Sequence, residues 1–249
     1  GAPWLDVMRP SGRDFPLQAH FGVNRIANWS PSTSTTVNTE GLPITSVGTV
    51  STPTLAATNL ATSMRRWRLT SAATADSAAE QRSAGWACWR GNAAKLGGWT
   101  FVSRISLSTL QATGMGFFGL YGSTAALATT LTLSAAVNCV GIGFQRGTHT
   151  RWQIVHNDAS GTPTLINASA ALALATDAVI TLTVASAPNA SSVWVRIVDE
   201  ASGTVFEREL TTDLPANTQF LSPRLYMNNG ATAAAVAYDC SGVYVETDY

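Results

Sequence analysis

Hydrophobic and polar residues alternate along much of the chain, most clearly in its second half. Within residues 193–199, for example, Val195 and Ile197 share one face, while Arg196 lies on the other. The same period of two recurs in residues 101–107, 152–155, 179–184, 221–227 and 236–245. Because successive side chains of a β-strand point to opposite faces, this pattern predicts half-buried strands.

Turn-forming residues separate these segments at short intervals. Gly, Pro, Asn and Asp are concentrated in residues 157–161, 188–189, 199–203, 214–215 and 228–230. Strands of about six residues with a turn every 8–12 are typical of an antiparallel β-sandwich or jelly roll, so we predict an all-β fold. Strands and helices do not alternate, which argues against a doubly wound α/β fold. The composition of residues 72–82 (AATADSAAEQR) predicts a short helix or helical turn.

The first part of the chain has a different character. From about residue 29 to residue 60 it is rich in Ser, Thr and Pro, with isolated apolar residues between them. Such a segment is expected to run as extended chain across a sheet or a neighbouring subunit. We therefore predict an extended arm over residues 1–60, packed on or leading into a β-sandwich domain over residues 61–249.

The composition excludes several classes of protein. The 249 residues carry 15 basic and 15 acidic side chains, so the basic excess of a nucleic-acid-binding protein is missing. A hydrophobic content of 45% argues against disorder. No apolar run approaches the roughly 20 residues of a membrane span, so we expect no membrane insertion. Charged residues make up 12%, about half the usual fraction, and a surface so poor in charge favours a homo-oligomer.

The three cysteines indicate where the protein folds. Cys88, Cys139 and Cys240 are an odd number at wide, irregular spacing. This arrangement is typical of reduced, buried thiols in a protein that folds in a cytoplasm, and the alternative is a single disulfide with one free thiol.

One glycine motif matches a dinucleotide-binding pattern without its context. Residues 114–119 read Gly-Met-Gly-Phe-Phe-Gly, but neither a capped helix nor a suitably spaced acidic residue follows them. We interpret this motif as a strand whose glycines make room for crowded aromatic rings or for another subunit.

Ionisable residues give no clear catalytic or metal-binding constellation. His149 and His156 fall on opposite faces of a straight strand, with Asp158 in the turn that follows. Glu207 and Glu209 share a strand face at about 7 Å, a spacing that suits glycosidase chemistry but also arises on any solvated strand. We expect no metal, no cofactor and no catalytic residue.

Two short runs combine tryptophan with arginine. They are WACWR at residues 86–90 and RRWR at residues 65–68. Exposed aromatic rings could stack on sugar rings while polar groups bind the hydroxyls. Alternatively such rings belong to the core, with Trp67 pointing inward while Arg66 and Arg68 point outward.

Several motifs resemble those of bacteriophage and prophage tail proteins. They are RRWRLT (65–70), CWRG (88–91), GGWTFVSR (97–104), FQRG (144–147), RWQIVHNDASGT (151–162), VWVRIV (193–198), TTDLP (211–215), NNG (228–230) and VYVETDY (243–249). The resemblance covers roughly residues 60–249. It implies a concanavalin A-like sandwich at the distal end of a tail fibre, assembled as a homotrimer. It also implies a virion protein that is made in the host bacterial cytoplasm, and it brings no catalytic motif.

We therefore expect a non-catalytic receptor-binding domain that attaches a virion to a bacterial surface glycan or surface protein and contacts other phage tail proteins. The candidate binding residues, which one strand end and one turn carry together, are His149, Arg151, Trp152, Asn157 and Asp158. Two alternatives remain open. One is a structural decoration or baseplate module of the virion, and the other is a polysaccharide depolymerase that uses Glu207 and Glu209.

Overall fold

The computed structural model describes residues 25–32 and 36–247. Within these residues the chain forms two β-sheets of nine and seven strands, and neighbouring strands in each sheet are antiparallel. The sheets enclose one large apolar core. The predicted antiparallel β-sandwich is confirmed.

The larger sheet has the spatial order β14-β13-β12-β7-β16-β1-β2, with β5 beside the first half of β16 and β4 beside β5. Its strands in chain order are β1 (Arg25–Pro31), β2 (Val37–Glu40), β4 (Thr49–Ser51), β5 (Trp67–Thr70), β7 (Trp99–Thr109), β12 (Val179–Ser186), β13 (Val193–Asp199), β14 (Val205–Leu210) and β16 (Ala237–Thr247).

The smaller sheet has the spatial order β11-β10-β9-β8-β15-β6-β3. Its strands in chain order are β3 (Ile44–Val47), β6 (Ala78–Ser83), β8 (Met115–Tyr121), β9 (Cys139–Gln145), β10 (Gln153–Asn157), β11 (Thr164–Asn167) and β15 (Ser222–Asn228). One helical turn, α1 (Leu60–Ser63), and one 3-10 turn (Leu133–Ala135) complete the regular structure that is described.

Aromatic rings occupy the centre of the core. Phe118 packs edge-on against both Trp152 and Tyr238, with ring centroids 5.8 and 5.4 Å apart. Phe144 meets the other side of Trp152 at 5.4 Å. Edge-to-face pairs of this kind add about 0.5–1.5 kcal/mol each to the stabilisation from burial, so this cluster is a main source of the stability of the sandwich.

The glycine motif at residues 114–119 lies in and just before β8, as the strand interpretation predicted. A Cβ atom on Gly116 would come within 2.5 Å of the ring of Phe144. Gly119 faces Gly141 across the β8–β9 pair, where a side chain on either would strike the opposite backbone. These glycines thus allow close approach of strands and of an aromatic ring, as the strand interpretation requires.

The described part of the predicted arm contributes strands to both sheets. Strand β1 pairs with β16 and β2 in the larger sheet, whereas β3 forms an edge of the smaller sheet. Asn59 caps the N-terminus of the helical turn α1, since its side chain accepts a hydrogen bond from the backbone N–H of Thr62. Residues 1–24 and 33–35 of the predicted arm lie outside the described residues, as do residues 248–249 of the last resembling motif.

Two local predictions were wrong. Residues 72–82 form no helix, because residues 78–83 are strand β6, held between β15 and β3. Pairing on both sides of β6 outweighs the weak helix preference of an alanine-rich segment. Arg66, expected to point outward, is buried, and its Nε donates to Asp239 Oδ2 at 2.7 Å, which provides the charge partner that burial requires.

The thiol prediction is confirmed: Cys88, Cys139 and Cys240 are all free and buried. Burial raises the pKa of each of these thiols. In the described part of the chain, no helix has the length and hydrophobicity needed to cross a membrane.

Candidate functional site

Two loops at one end of the sandwich bring exposed aromatic rings together. The β6–β7 loop (residues 84–98) runs beside the β14–β15 loop (residues 211–221), and the backbones of Cys88 and Leu221 exchange hydrogen bonds of 3.0 and 2.7 Å. In an antiparallel pair the next residues on either side face each other. This pairing therefore sets Trp89 opposite Phe220.

Trp89 and Phe220 stack with ring centroids 5.3 Å apart and an interplanar angle of 22°. Phe220 is 47% exposed and Trp86, three residues before Trp89, is 42% exposed, while Trp89 is half-buried. We call the stacked pair Trp89 and Phe220, together with the exposed Trp86 on the same loop as Trp89, the aromatic platform. Large aromatic side chains left in contact with water mark binding surfaces more often than isolated exposed aliphatic ones do.

Arg90 fixes the geometry of these loops. Its Nη2 donates to the carbonyl of Pro215 at 2.6 Å, and its Nη1 donates to the carbonyl of Ala190 at 3.3 Å. One guanidinium thus ties the β6–β7 loop to the β14–β15 loop and to the β12–β13 turn (residues 187–192). Burial lowers the pKa of Arg90. Since Nε, Nη1 and Nη2 all donate to backbone carbonyls, Arg90 positions the loops of the aromatic platform.

The smaller sheet offers no open face at its centre. Met115 and Phe117 alternate along β8 with the core residue Phe118, so they lie on the face directed away from the larger sheet. Residues 122–138, which we call the strap, cross this face. Leu127, Leu131 and Leu133 of the strap pack against the apolar residues there.

Polar side chains of the sheet bind the backbone of the strap. The donors and the carbonyls they reach are Arg82 Nε to Thr124 (3.0 Å), Arg224 Nη2 to Ala125 (2.8 Å), Tyr226 Oη to Ala128 (2.7 Å) and Asn228 Nδ2 to Leu131 (2.8 Å). A ligand cannot reach these groups unless the strap is displaced.

A buried ion pair lies beneath the strap. Arg224 Nη1 pairs with Glu80 Oε1, and both side chains are almost completely buried. Arg82 approaches the second oxygen of Glu80 at 3.1 Å. Burial raises the pKa of the Glu80 carboxyl, while the charges of Arg224 and Arg82 act in the opposite direction. This cluster holds the strap on the sheet and does not form an open active site.

The structure separates the five predicted binding residues into two groups. His149 and Arg151 precede β10, and Asn157 and Asp158 stand at its far end, about 16 Å away along a five-residue strand. Trp152 is 1% exposed and belongs to the core, so it offers no ring to a ligand. The expectation that one strand end and one turn carry all five together is therefore wrong.

The remaining contacts of these residues are mainly internal. Burial lowers the pKa of His149, whose Nδ1 accepts a hydrogen bond from the backbone of Gln145 at 3.0 Å. Arg151 donates to the carbonyl of Ala168 at 3.4 Å. Asn157 is fully buried, and its Nδ2 donates to the carbonyl of Ala136 in the strap.

Asp158 is the predicted residue that contacts the β14–β15 loop, at its Asp213. Its backbone N–H donates to the carboxylate of Asp213, the residue before Leu214 in the β14–β15 loop, at 3.2 Å. Asp213 also accepts from the backbone of Thr164 at 3.0 Å. Burial alone would raise the pKa of Asp213, but these hydrogen bonds and the nearby His156 outweigh burial and lower that pKa.

Two other kinds of site were considered in the sequence, a metal site and a glycosidase pair. Residues 25–32 and 36–247 contain no group of three or more His, Cys, Asp or Glu side chains that could hold a metal ion. Glu207 and Glu209 lie on β14, an edge strand of the larger sheet, and Glu207 pairs with Arg196 at 3.4 Å.

The sequence indicated part of the aromatic platform but not its partner ring. The WACWR run pointed to Trp86 and Trp89 as rings that could stack on sugars. Phe220 was missed, because it follows a turn outside any alternating segment, and the chain gives no local sign that it meets Trp89. The strap was also missed, because its Ser-, Thr- and Ala-rich sequence resembles that of an ordinary loop.

Comparison with known proteins identifies the fold. No protein-family model and no curated protein matches the chain. Among solved structures, peanut lectin in complex with a 9-residue peptide has a TM-score of 0.58 at 13% identity, over 90% of this chain and 97% of the lectin. Lectin II from Ulex europaeus also scores 0.58, at 11% identity, over 92% of this chain and 99% of the lectin. The chain therefore has a concanavalin A-like β-sandwich fold.

A bacterial protein shares this fold. A protein of unknown function from Shewanella oneidensis MR-1 has a TM-score of 0.57 at 12% identity, over 90% of this chain and 87% of that protein. At such low identity the likeness concerns the arrangement of strands and says nothing by itself about ligands.

Proposed function

We propose that this protein is a non-catalytic receptor-binding domain of a bacteriophage tail, which attaches the virion to a glycan on the bacterial surface. The observation that carries this proposal is the aromatic platform. Exposed rings on two loops that are joined by hydrogen bonds form a preorganised apolar surface, of the kind that can stack on the apolar face of a sugar ring. The assignment to a phage tail rests on the sequence motifs given above.

The fold and the strap support a binding surface at the loop end. The strap covers the centre of the smaller sheet, and the Glu207 carboxylate is engaged by Arg196. The loops that carry Trp86, Trp89 and Phe220 are in contrast exposed and held in place by Arg90. Loops positioned by a rigid scaffold are the usual carriers of recognition.

The proposed assembly is a homotrimer, joined to other phage tail proteins. Its support is a chain with 12% charged residues and no net charge, a composition that favours self-association. Three copies of a weak site would multiply the avidity of attachment. Sedimentation equilibrium of the purified protein tests this point, since a trimer gives three times the chain mass, and a monomer at all concentrations would exclude it.

The experiment for the function is binding of fluorescently labelled protein to a panel of bacterial strains, before and after periodate or protease treatment of the cells. We expect binding that periodate abolishes, because periodate cleaves the vicinal diols of sugars. Binding that protease abolishes would identify a pilus or an outer-membrane protein as the receptor. Failure of the folded protein to bind any strain would favour a structural module of the virion.

A catalytic role has a separate test on the same strains. Release of soluble sugar from a surface polysaccharide by the wild-type protein, abolished in Glu207→Gln, would make the protein a depolymerase and would contradict the proposal.

A further inference from the structure

A short projecting loop beside the aromatic platform carries the single lysine of the chain. Residues 91–97 read Gly-Asn-Ala-Ala-Lys-Leu-Gly, and Asn92 to Leu96 are all exposed. We call residues 91–97 the finger. Its first and last residues are glycines in the left-handed region, with φ of 88° at Gly91 and 69° at Gly97. A Cβ atom on Gly91 would lie 1.8 Å from the carbonyl oxygen of Leu96, so only glycine permits this approach.

Backbone hydrogen bonds attach the finger to the loops of the aromatic platform. The N–H of Asn189 donates to the carbonyls of both Arg90 (2.7 Å) and Leu96 (3.0 Å), which brings the two ends of the finger together. The N–H of Gly98 donates to the carbonyl of Trp89 at 3.0 Å. The finger is therefore preformed and adjacent to Trp89, so little ordering entropy would be lost when a ligand binds there.

Lys95 has no charge partner among the described residues, and its side chain is exposed. The β6–β7 loop, the β12–β13 turn and residues 214–221 contain no Asp or Glu, and Arg90 already serves backbone carbonyls. The backbone of Lys95 is itself in the left-handed region, with φ of 68°, a conformation that costs a non-glycine residue free energy.

We propose that Lys95 binds an anionic group, a carboxylate or a phosphate, on the surface glycan whose sugar ring stacks on the aromatic platform. This inference rests on the proposed function and adds the class of ligand, an acidic rather than a neutral polysaccharide. An exposed ammonium group on a finger whose base is hydrogen-bonded to Trp89, with no acid in residues 84–98, 187–192 or 214–221, would favour an anionic sugar over its neutral counterpart.

The test uses surface polysaccharide extracted from a strain that the wild-type protein binds. It is presented intact, after reduction of its carboxylates to alcohols with carbodiimide and borohydride, and after removal of its phosphates with hydrogen fluoride. Affinities are measured for the wild type and for Lys95→Gln and Lys95→Arg. The Trp86→Ala, Phe220→Ala double variant serves as the reference for loss of the platform, and circular dichroism verifies the fold of each variant.

We expect one of the two treatments to weaken wild-type binding by about two- to fivefold, the size of an exposed ion pair, and so to identify the anion. Lys95→Gln should weaken binding of the intact polysaccharide by the same factor. The affinity of this variant should be the same for the intact polysaccharide and for the polysaccharide that has lost the anion. Lys95→Arg, which keeps the charge, should bind as the wild type does.

Two results would overturn the inference and leave the proposed function standing. One is that the wild type and Lys95→Gln bind the intact polysaccharide with equal affinity. The other is that neither treatment changes the affinity of the wild type. Both readings require that the Trp86→Ala, Phe220→Ala double variant binds more weakly; if the double variant binds as well as the wild type, the aromatic platform is not the site, and the proposed function fails with the inference.

Discussion

The indole of Trp89 and the phenyl ring of Phe220 form a stacked pair with a centroid distance of 5.3 Å, although they belong to loops far apart in the sequence. The hydrogen bonds between Cys88 and Leu221 set the two residues opposite each other, and both backbone partners have buried side chains in the core. The ring pair is therefore anchored to the sandwich, which makes it a rigid surface.

Removal of one ring of this pair should cost stability as well as binding. We expect Phe220→Ala to lower the free energy of unfolding by about 0.5–1.5 kcal/mol, the value of an aromatic pair beyond its buried area. Urea denaturation followed by circular dichroism measures this difference. Phe220→Trp, which keeps a ring in the stack, is the control, and an unfolding midpoint unchanged in Phe220→Ala would show that the stack contributes nothing to the fold.

The ion pair beneath the strap should be among the most sensitive positions of the molecule. Arg224→Met leaves the Glu80 carboxylate buried without its main partner, so we expect a loss of about 3–5 kcal/mol in unfolding free energy. The strap also loses the bonds from Arg224 to the carbonyls of Ser123 and Ala125, and amide hydrogen exchange should accelerate over residues 122–138.

A second substitution distinguishes the charge effect from simple loss of packing. In the double variant Glu80→Gln, Arg224→Met, both fully buried charges are removed and only the partly exposed Arg82 loses its partner, so the loss should be smaller than the sum of the two single losses. Strictly additive losses would mean that the two charges do not interact.

The contact between β8 and β9 should not tolerate a side chain. A Cβ atom on Gly141 would lie 2.2 Å from the carbonyl oxygen of Phe118, at the centre of the smaller sheet. We expect Gly141→Ala to yield little soluble protein, or a domain destabilised by several kcal/mol as measured by thermal unfolding. Gly161→Ala is the matched control: nothing lies near its Cβ position, and its φ of 74° makes the cost about 1–2 kcal/mol. Equal losses in the two variants would contradict the close approach.

Buried tyrosines should make the protein sensitive to alkali. Burial raises the pKa of Tyr226 to about 12 and also raises the pKa of Tyr121, Tyr238 and Tyr244. A raised pKa favours the neutral phenol in the folded state. The resulting stabilisation is complete below the unfolded value of about 10 and is lost as the pH rises through the folded value.

Spectrophotometric titration of the phenolate band measures this effect. In the native protein most of the rise in absorbance should occur well above pH 10, whereas in denaturant it should centre near 10. Tyr226→Phe should reduce the number of late-titrating groups by one. Native and denatured curves that coincide would mean that these phenols are accessible to solvent.

The sequence predicts those elements of this structure whose burial pattern appears as local alternation of apolar and polar residues. The alternation in residues 193–199 predicted β13 (Val193–Asp199), because one face of that strand packs on the core and the other meets solvent. Strand β6 was missed, since Glu80 and Gln81 interrupt any apolar pattern and are buried through partners on distant strands. A polar residue that is buried because of a remote partner carries no periodic signal.

In the candidate site, too, the residues that depend on distant contacts could not be predicted from local sequence. A tryptophan looks alike in sequence whether it fills the core, as Trp152 does, or faces solvent, as Trp86 does. The predicted group around residues 149–158 relied on closeness in sequence, and an extended strand separates its ends. The aromatic platform depends instead on the pairing of Cys88 with Leu221, which only the folded chain reveals.

The most direct test of the central claim compares cell binding by the wild type with binding by a Trp86→Ala, Phe220→Ala double variant, on a strain whose binding is sensitive to periodate. Val205→Ala, which changes a 44% exposed side chain on edge strand β14, is the matched control. We predict that the double variant loses at least tenfold in affinity while remaining folded, about 1.4 kcal/mol or more, and that Val205→Ala binds as the wild type does. Undiminished binding by a folded double variant would contradict the assignment of the aromatic platform as the receptor site.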